Sequence, residues 1–227
     1  MSKLYFYYGT VCSSKTLNLI AVYNNYSIQN KKAILIKSSL DTRTEKISSR
    51  AGVECDPDLI IEKNDSIEEK LFDLLKNSSN QKIDAIIVDE AQFLTKKQVI
   101  ELRRLAVGKF IHQTENVKNF SIIDKIKDSL FTKKIFVKCP ILCYGLRTNS
   151  DGELWEASAE LMACSDELHE IKTICSYCSH RAVFSAMIKD NDKKDMIDPS
   201  WDKYIPVCPK HYEELKSKQE NKQTKNS

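Results

Sequence analysis

Lys15 and Thr16 close the stretch Gly9-Thr10-Val11-Cys12-Ser13-Ser14, which joins an apolar run, Leu4-Tyr5-Phe6-Tyr7, to Leu17-Asn18-Leu19-Ile20. That order reads as strand, tight loop and helix. Such a loop presents unpaired backbone N–H groups to an anion at the positive end of a helix dipole. A lysine at its end meets the β- and γ-phosphates of a nucleotide, and the hydroxyl that follows ligates magnesium. The pattern G-x-x-x-x-G-K-[ST] has glycine before the lysine, whereas here the position is Ser14. If the backbone there is left-handed, a serine costs roughly 1–2 kcal/mol.

A second group of polar residues follows the apolar stretch 83–88: Asp89-Glu90-Ala91-Gln92-Phe93. A buried strand that ends in an aspartate is the other half of a phosphate site, with the acid holding magnesium. Glu90 beside it is placed to act as a general base. An Asp-Glu pair after a strand also serves as a solvated loop or a helix cap, and the upstream Lys15-Thr16 favours the magnesium reading. A third group is Cys175-x-x-Cys178 and Cys208-x-x-His211, with 29 residues between the pairs. Each pair can place two soft ligands on one tetrahedral zinc, and four filled positions make that zinc structural. His169 and His180 fall off this spacing and read as surface residues.

The elements that must carry these groups alternate. Strands are expected at 3–8, 33–36, 83–88 and 141–144, and helices at 15–28, 66–77 (Ile67, Leu71, Leu74 and Leu75 on one face) and 96–107, the last capped by Thr95. Alternation of this kind implies an α/β fold, a parallel sheet flanked by helices. Residues 108–138 read as an insertion, with Ile122, Ile123, Ile126 and Leu130 at helical spacing in a lysine-rich stretch. The domain organisation expected is a nucleotide-binding domain over 1–165, a small zinc lobe over 166–213 and a disordered tail over 214–227.

Composition narrows the partners. The 227 residues carry 35 basic and 32 acidic side chains, a net +3, which does not argue for nucleic acid, and the zinc lobe lacks a basic stripe with interleaved aromatics. No apolar stretch reaches the ~18 residues of a membrane helix and no leader is evident, so a cytoplasmic location is expected. There the 8 cysteines are expected as thiols, with Cys12, Cys55, Cys139 and Cys143 as small buried hydrophobes.

Taken in order, "LYFYYGTVCSSKT", "DTR" at 41–43, "ISSR" at 47–50, "VDEAQF" at 88–93, "CYGLRT" at 143–148, "GELW" at 152–155, "IKTIC" at 171–175 and "YIPVCPKHY" at 204–212 resemble the zinc-containing, tetrameric thymidine kinases. The resemblance runs from residue 3 to about 213, interrupted by 108–138. It implies transfer of the γ-phosphoryl group of ATP to the 5′-hydroxyl of thymidine. In that reading Gly9, Thr10, Val11, Cys12, Ser13, Ser14, Lys15 and Thr16 cradle the phosphates, with Asp41, Arg43, Asp89 and Gln92 beside them. Thr16 and Asp89 hold magnesium and Glu90 takes the hydroxyl proton. Phe93, Leu146, Trp155 and Tyr204 line the nucleoside pocket, closed by a lasso at 195–200, and Cys175, Cys178, Cys208 and His211 bind zinc. The expected partners are thymidine, ATP and three further copies of the chain. Four positions depart from the family: Ser14 replaces glycine, Ser150 replaces an aromatic residue, Asp198-Pro199-Ser200 replaces a Gly-Gly stretch, and Val11 replaces methionine. These departures leave a second reading, a catalytically impaired nucleotide-binding paralogue that acts through partner binding.

Overall fold

A computed structural model describes residues 2–42, 45–77, 82–112, 134–188 and 203–223. Arg43, the lasso at 195–200, the stripe Ile122, Ile123, Ile126 and Leu130, and residues 224–227 lie outside the described residues.

Near-continuous apolar runs form the strands, as expected where both faces of a parallel sheet are covered. Strands β1 (Leu4–Gly9), β2 (Ala33–Ser38), β5 (Leu59–Ile61), β6 (Ala85–Asp89), β9 (Ile141–Leu146) and β10 (Glu167–Glu170) make one six-stranded sheet in the order β10-β1-β9-β6-β2-β5, and every pairing in it is parallel. Short strands β3 (Ile47–Ser48) and β4 (Glu54–Cys55) pair with each other beside it. Helix α1 (Lys15–Ile28) covers one face, where Leu19 and Ile20 pack against Leu35, Ile87 and Tyr144. Helices α2 (Ile67–Leu75), α3 (Lys96–Val107) and α4 (Glu156–Cys164) cover the other, and Leu71, Leu102 and Leu161 share a core with Phe6, Ile36 and Val88. The expected helix face on α2 holds, except that Phe72 is buried and Leu74 only partly so.

Helix starts are set by local chemistry. Thr95 and Gln98 form a reciprocal capping box on α3. The Gln98 amide reaches further and donates to the carbonyls of Glu62 (2.8 Å) and Asp65 (2.9 Å). Glu101 is 4% exposed, and its carboxylate accepts from the backbone N–H of Ile67 (2.7 Å) and the hydroxyl of Ser66 (3.1 Å). A carboxylate from α3 therefore sits on the positive end of α2. Glu101→Ala leaves that buried N–H without its acceptor; the expected cost is about 2–3 kcal/mol, seen in thermal denaturation as a fall in Tm of roughly 5–10 °C.

Three features differ from expectation. Strand β10 pairs with β1, so the main sheet continues past residue 165, where the zinc lobe was expected to begin. The flanks of the insertion are not helical: β7 (Lys109–Ile111) and β8 (Ile135–Val137) form an antiparallel ribbon, with Ile111 and Val137 in the core and Phe110 and Phe136 paired outside. The tail expected to be disordered from 214 is helical to residue 223, as α5 (Pro209–Gln223). Its Glu, Lys and Gln residues are good helix formers, and Leu215 packs on the lobe core of Cys175, Ala186, Val207 and Tyr212. The rest of the lobe is the hairpin of β11 (Phe184–Met187) and β12 (Tyr204–Val207). Among the single cysteines, Cys139 and Cys143 are buried as expected, whereas Cys12 and Cys55 are only half-buried. Burial pushes the Cys139 thiol up to about 12.

Candidate active site

Loops that follow β1, β2, β6 and β9 meet at the carboxyl ends of the strands, the place where open parallel sheets bind ligands. They enclose a cavity of about 240 Å³. Val11, Cys12, Ser13, Ser14, Lys15, Thr16, Asp41, Glu90, Gln92, Phe93, Leu146, Trp155 and Tyr204 all line it. The parallel register of β1 and β9 sets Gly9 directly opposite Leu146.

The loop at 10–14 is held tightly. Gly9 is required by close approach: a Cβ there would lie 2.4 Å from the Ser13 hydroxyl and 2.6 Å from the Ile171 carbonyl. The Ser13 hydroxyl donates to the Thr10 carbonyl at 2.9 Å, and the Lys15 ammonium donates to the same carbonyl at 2.7 Å. Lys15 is thereby fixed over the loop while only 8% exposed. Two loop residues, Cys12 (φ 59°) and Ser14 (φ 61°), are left-handed without being glycine. The departure at Ser14 thus carries the backbone strain anticipated for it. Ser14→Gly should relieve about 1 kcal/mol, raising Tm by roughly 2–4 °C, with tighter ATP binding in titration calorimetry.

Glu90 is also left-handed, at φ 47° and ψ 44°. Strain of this kind persists only where the surroundings impose it. Here Gln92 does so: its amide nitrogen donates to Glu90 Oε2 at 2.5 Å, and its amide oxygen accepts from the Leu146 N–H at 2.9 Å. Gly145 makes room, since a Cβ there would stand 2.8 Å from that amide oxygen. Gln92, expected beside the phosphates, lines the cavity with the loop, and its hydrogen bonds tie the acid to the end of β9. Asp89 ends β6 and is 3% exposed, and it is not among the residues that line the cavity. Phe93 and Trp155 meet edge to face, centroids 5.5 Å apart, as an apolar wall.

Sequence reasoning missed several residues. Ser49 and Arg50 line the cavity, although "ISSR" already marked their segment, and the Arg50 guanidinium donates to the Cys12 sulfur. Ser185 of β11 also lines it, and its hydroxyl accepts from the Val11 N–H at 3.1 Å. Lys37 is the largest surprise: its ammonium lies 3.3 Å from Asp41 Oδ2, with the two side chains only 2% and 6% exposed. A lysine closing an otherwise apolar strand, four residues before Asp41, was the available signal.

In the lobe, the ligand atoms of Cys175, Cys178, Cys208 and His211 all lie within 4.8 Å of one another. Tetrahedral zinc with Zn–S about 2.3 Å and Zn–N about 2.0 Å spaces its ligands roughly 3.5–3.8 Å apart. The Cys178 and Cys208 sulfurs are 3.8 Å apart, and His211 Nδ1 is 3.4, 3.6 and 3.3 Å from Cys175, Cys178 and Cys208. The donors fit zinc. Burial raises the Cys175 thiol, but the N–H groups of Cys208 and Tyr177 and the His211 and Cys178 side chains outweigh it and bring it to about 6. A thiolate is the form that binds metal.

A six-stranded parallel sheet, a phosphate-type loop leading into a helix and a strand closing on Asp89-Glu90 define an α/β protein of the P-loop nucleotide-binding class, with a zinc-type lobe. The chain belongs to the thymidine kinase family: the family model "Thymidine kinase" matches residues 2–111 and 115–212. It is 31% identical over 230 residues to the thymidine kinase of Francisella tularensis subsp. holarctica, covering 94% of this chain and 98% of the relative. It is 33% identical over 223 residues to that of Pasteurella multocida, with 94% and 98% covered. The Lactococcus lactis subsp. lactis enzyme is 33% identical over 220 residues, with 93% and 97% covered.

Proposed function

We propose that the protein is an ATP-dependent thymidine kinase, which transfers the γ-phosphoryl group of ATP to the 5′-hydroxyl of thymidine. One observation carries the reading: the Lys15-Thr16 loop, Glu90 and the apolar wall of Phe93, Leu146 and Trp155 share one cavity.

Phosphoryl transfer needs positioning and charge compensation more than covalent help. The N–H groups of the loop at 10–16 and the positive end of α1 receive the phosphates, and the Lys15 ammonium compensates charge that moves to the leaving oxygen. Magnesium, held by the Thr16 hydroxyl and the Asp89 carboxylate, would neutralise the phosphate oxygens. Glu90 accepts the proton as the 5′-oxygen bonds to the γ-phosphorus and the bond to the β-phosphate oxygen breaks, giving thymidine monophosphate and ADP. Asp41, which lines the cavity, would serve the ATP side, as the family resemblance implies for Arg43 as well. Phe93, Leu146, Trp155 and Tyr204 enclose the base. Zinc on Cys175, Cys178, Cys208 and His211 is structural. We expect a homotetramer in the cytoplasm; among the described residues no helix is long and apolar enough to cross a membrane. The impaired-paralogue reading is not favoured: Lys15 and Glu90 line one cavity, and the similarity to thymidine kinases spans nearly the whole chain.

The test is direct assay of purified, zinc-replete protein with ATP, magnesium and thymidine, with nucleotides resolved by chromatography. Thymidine monophosphate and ADP in equal amounts are expected. ATP binding without any monophosphate from thymidine or a related deoxynucleoside would sink the proposal.

A further inference from the structure

We propose that Lys37 is a positioning residue for the nucleotide site, acting through Asp41. The inference rests on the cavity being the nucleotide site of the reading above.

Lys37 is the fifth residue of β2, a strand buried along its whole length. Leu35 and Ile36 show that apolar side chains satisfy the core there. An ammonium in the same strand, 2% exposed, carries a desolvation cost of several kcal/mol. Such a charge persists where it is paired, and buried paired charges cluster at functional clefts. Its surroundings are acidic and specific. Asp41 Oδ2 lies 3.3 Å away, and the Lys46 carbonyl accepts at 3.1 Å. On the neighbouring strand, Lys37 is in register with Asp89, and directly paired residues of adjacent strands point to the same face.

Lys37 therefore spans both ends of the turn that follows β2. Its bond to Lys46 closes the turn, and its bond to Asp41 aims that carboxylate at the cavity, which Asp41 lines beside Ser14 and Lys15. It also sets a positive charge against Asp41 and at the strand position in register with Asp89, which offsets the repulsion of those acids for an incoming polyphosphate. Lys37 does not line the cavity itself, so its effect passes through the acid it holds.

The experiment uses the full-length protein and titration calorimetry with magnesium and a non-hydrolysable ATP analogue, together with steady-state kinetics. Lys37→Met and Asp41→Asn should each weaken nucleotide binding about 10–100-fold, as loss of a supporting partner does at ion sites, while the KM for thymidine changes less than about twofold. The double variant should bind no more weakly than the weaker single variant. If Lys37→Met fails to fold, the double variant, which removes both charges of the Lys37–Asp41 pair, is compared with Asp41→Asn alone. Equal affinity supports the proposal, and a further tenfold loss overturns it. Wild-type affinity in Lys37→Met, or equal damage to ATP and thymidine KM, also overturns it. Failure of the wild type to bind the analogue would instead refute the nucleotide-site reading.

Discussion

Glu90→Gln is expected to lower kcat for thymidine phosphorylation by about 10²–10⁴-fold, the usual contribution of a positioned general base, with little change in nucleotide affinity. Glutamine has nearly the shape of glutamate, so the left-handed turn at φ 47° and the packing of Phe93 on Trp155 are retained. What would be lost is the acceptor proposed for the 5′-hydroxyl proton. The carboxylate is poorly placed to act as anything else: it is 8% exposed, held by Gln92, and on the cavity wall. Gln92→Ala provides the companion measurement. It removes the bond that aims Glu90 while leaving the base in place, so it should lower kcat by less, on the order of tenfold to a hundredfold, in line with small misplacements of reacting groups. Rapid-quench kinetics separate the chemical step from product release for both variants. A Glu90→Gln rate within a factor of three of wild type would remove Glu90 from the proton path.

Removal of zinc should have the second-largest effect. Structural zinc sites bind with apparent free energies of about 10–16 kcal/mol, as much as the whole stability of an ordinary domain, and the lobe core of Cys175, Ala186, Val207, Cys208 and Tyr212 is too small to hold alone. Cys208→Ser, or prolonged chelation, should therefore unfold the lobe while the main sheet keeps its own core. Activity is expected to fall at least tenfold, because the lobe touches the cavity at several points. Tyr204 and Ser185 line it, the Ser185 hydroxyl accepts from the phosphate loop at Val11, and the Tyr212 hydroxyl donates to the Ser150 carbonyl at 2.9 Å. Metal analysis should give about one zinc per chain in the wild type and none in Cys208→Ser, with loss of activity following loss of metal. Full activity in a metal-free preparation would show that the lobe does not support the site.

The strands at 4–9, 33–38, 85–89 and 141–146 were legible because a parallel sheet covered on both faces demands uninterrupted apolar runs, and Ala33-Ile34-Leu35-Ile36 can serve in little else. Helix α3 was legible to its cap, since Thr95 and Gln98 act within one turn. The phosphate loop and the zinc ligands were legible for a similar reason: their chemistry needs neighbours at fixed short spacings. Strand β10 was not, because Glu-Leu-His-Glu has no strand pattern of its own and is recruited by pairing with β1. Nor was the helix through 214–223, whose polar composition also fits disorder until Leu215 finds the lobe core.

By itself the sequence determined the class of fold, the loop at 9–16, the acids at 89–90 and the four zinc donors, all set by local composition and spacing. Tertiary structure alone decided how those groups are aimed. Ser14 and Glu90 take left-handed conformations that no residue type announces, and Gln92 bridges Glu90 and the end of β9. Lys37 meets Asp41 inside the protein, and Ser185, 174 positions from Val11, meets the phosphate loop. The Gln92–Leu146 and Val11–Ser185 bonds join segments far apart in the chain, and burial makes an unpaired polar group too costly to leave at any of these places.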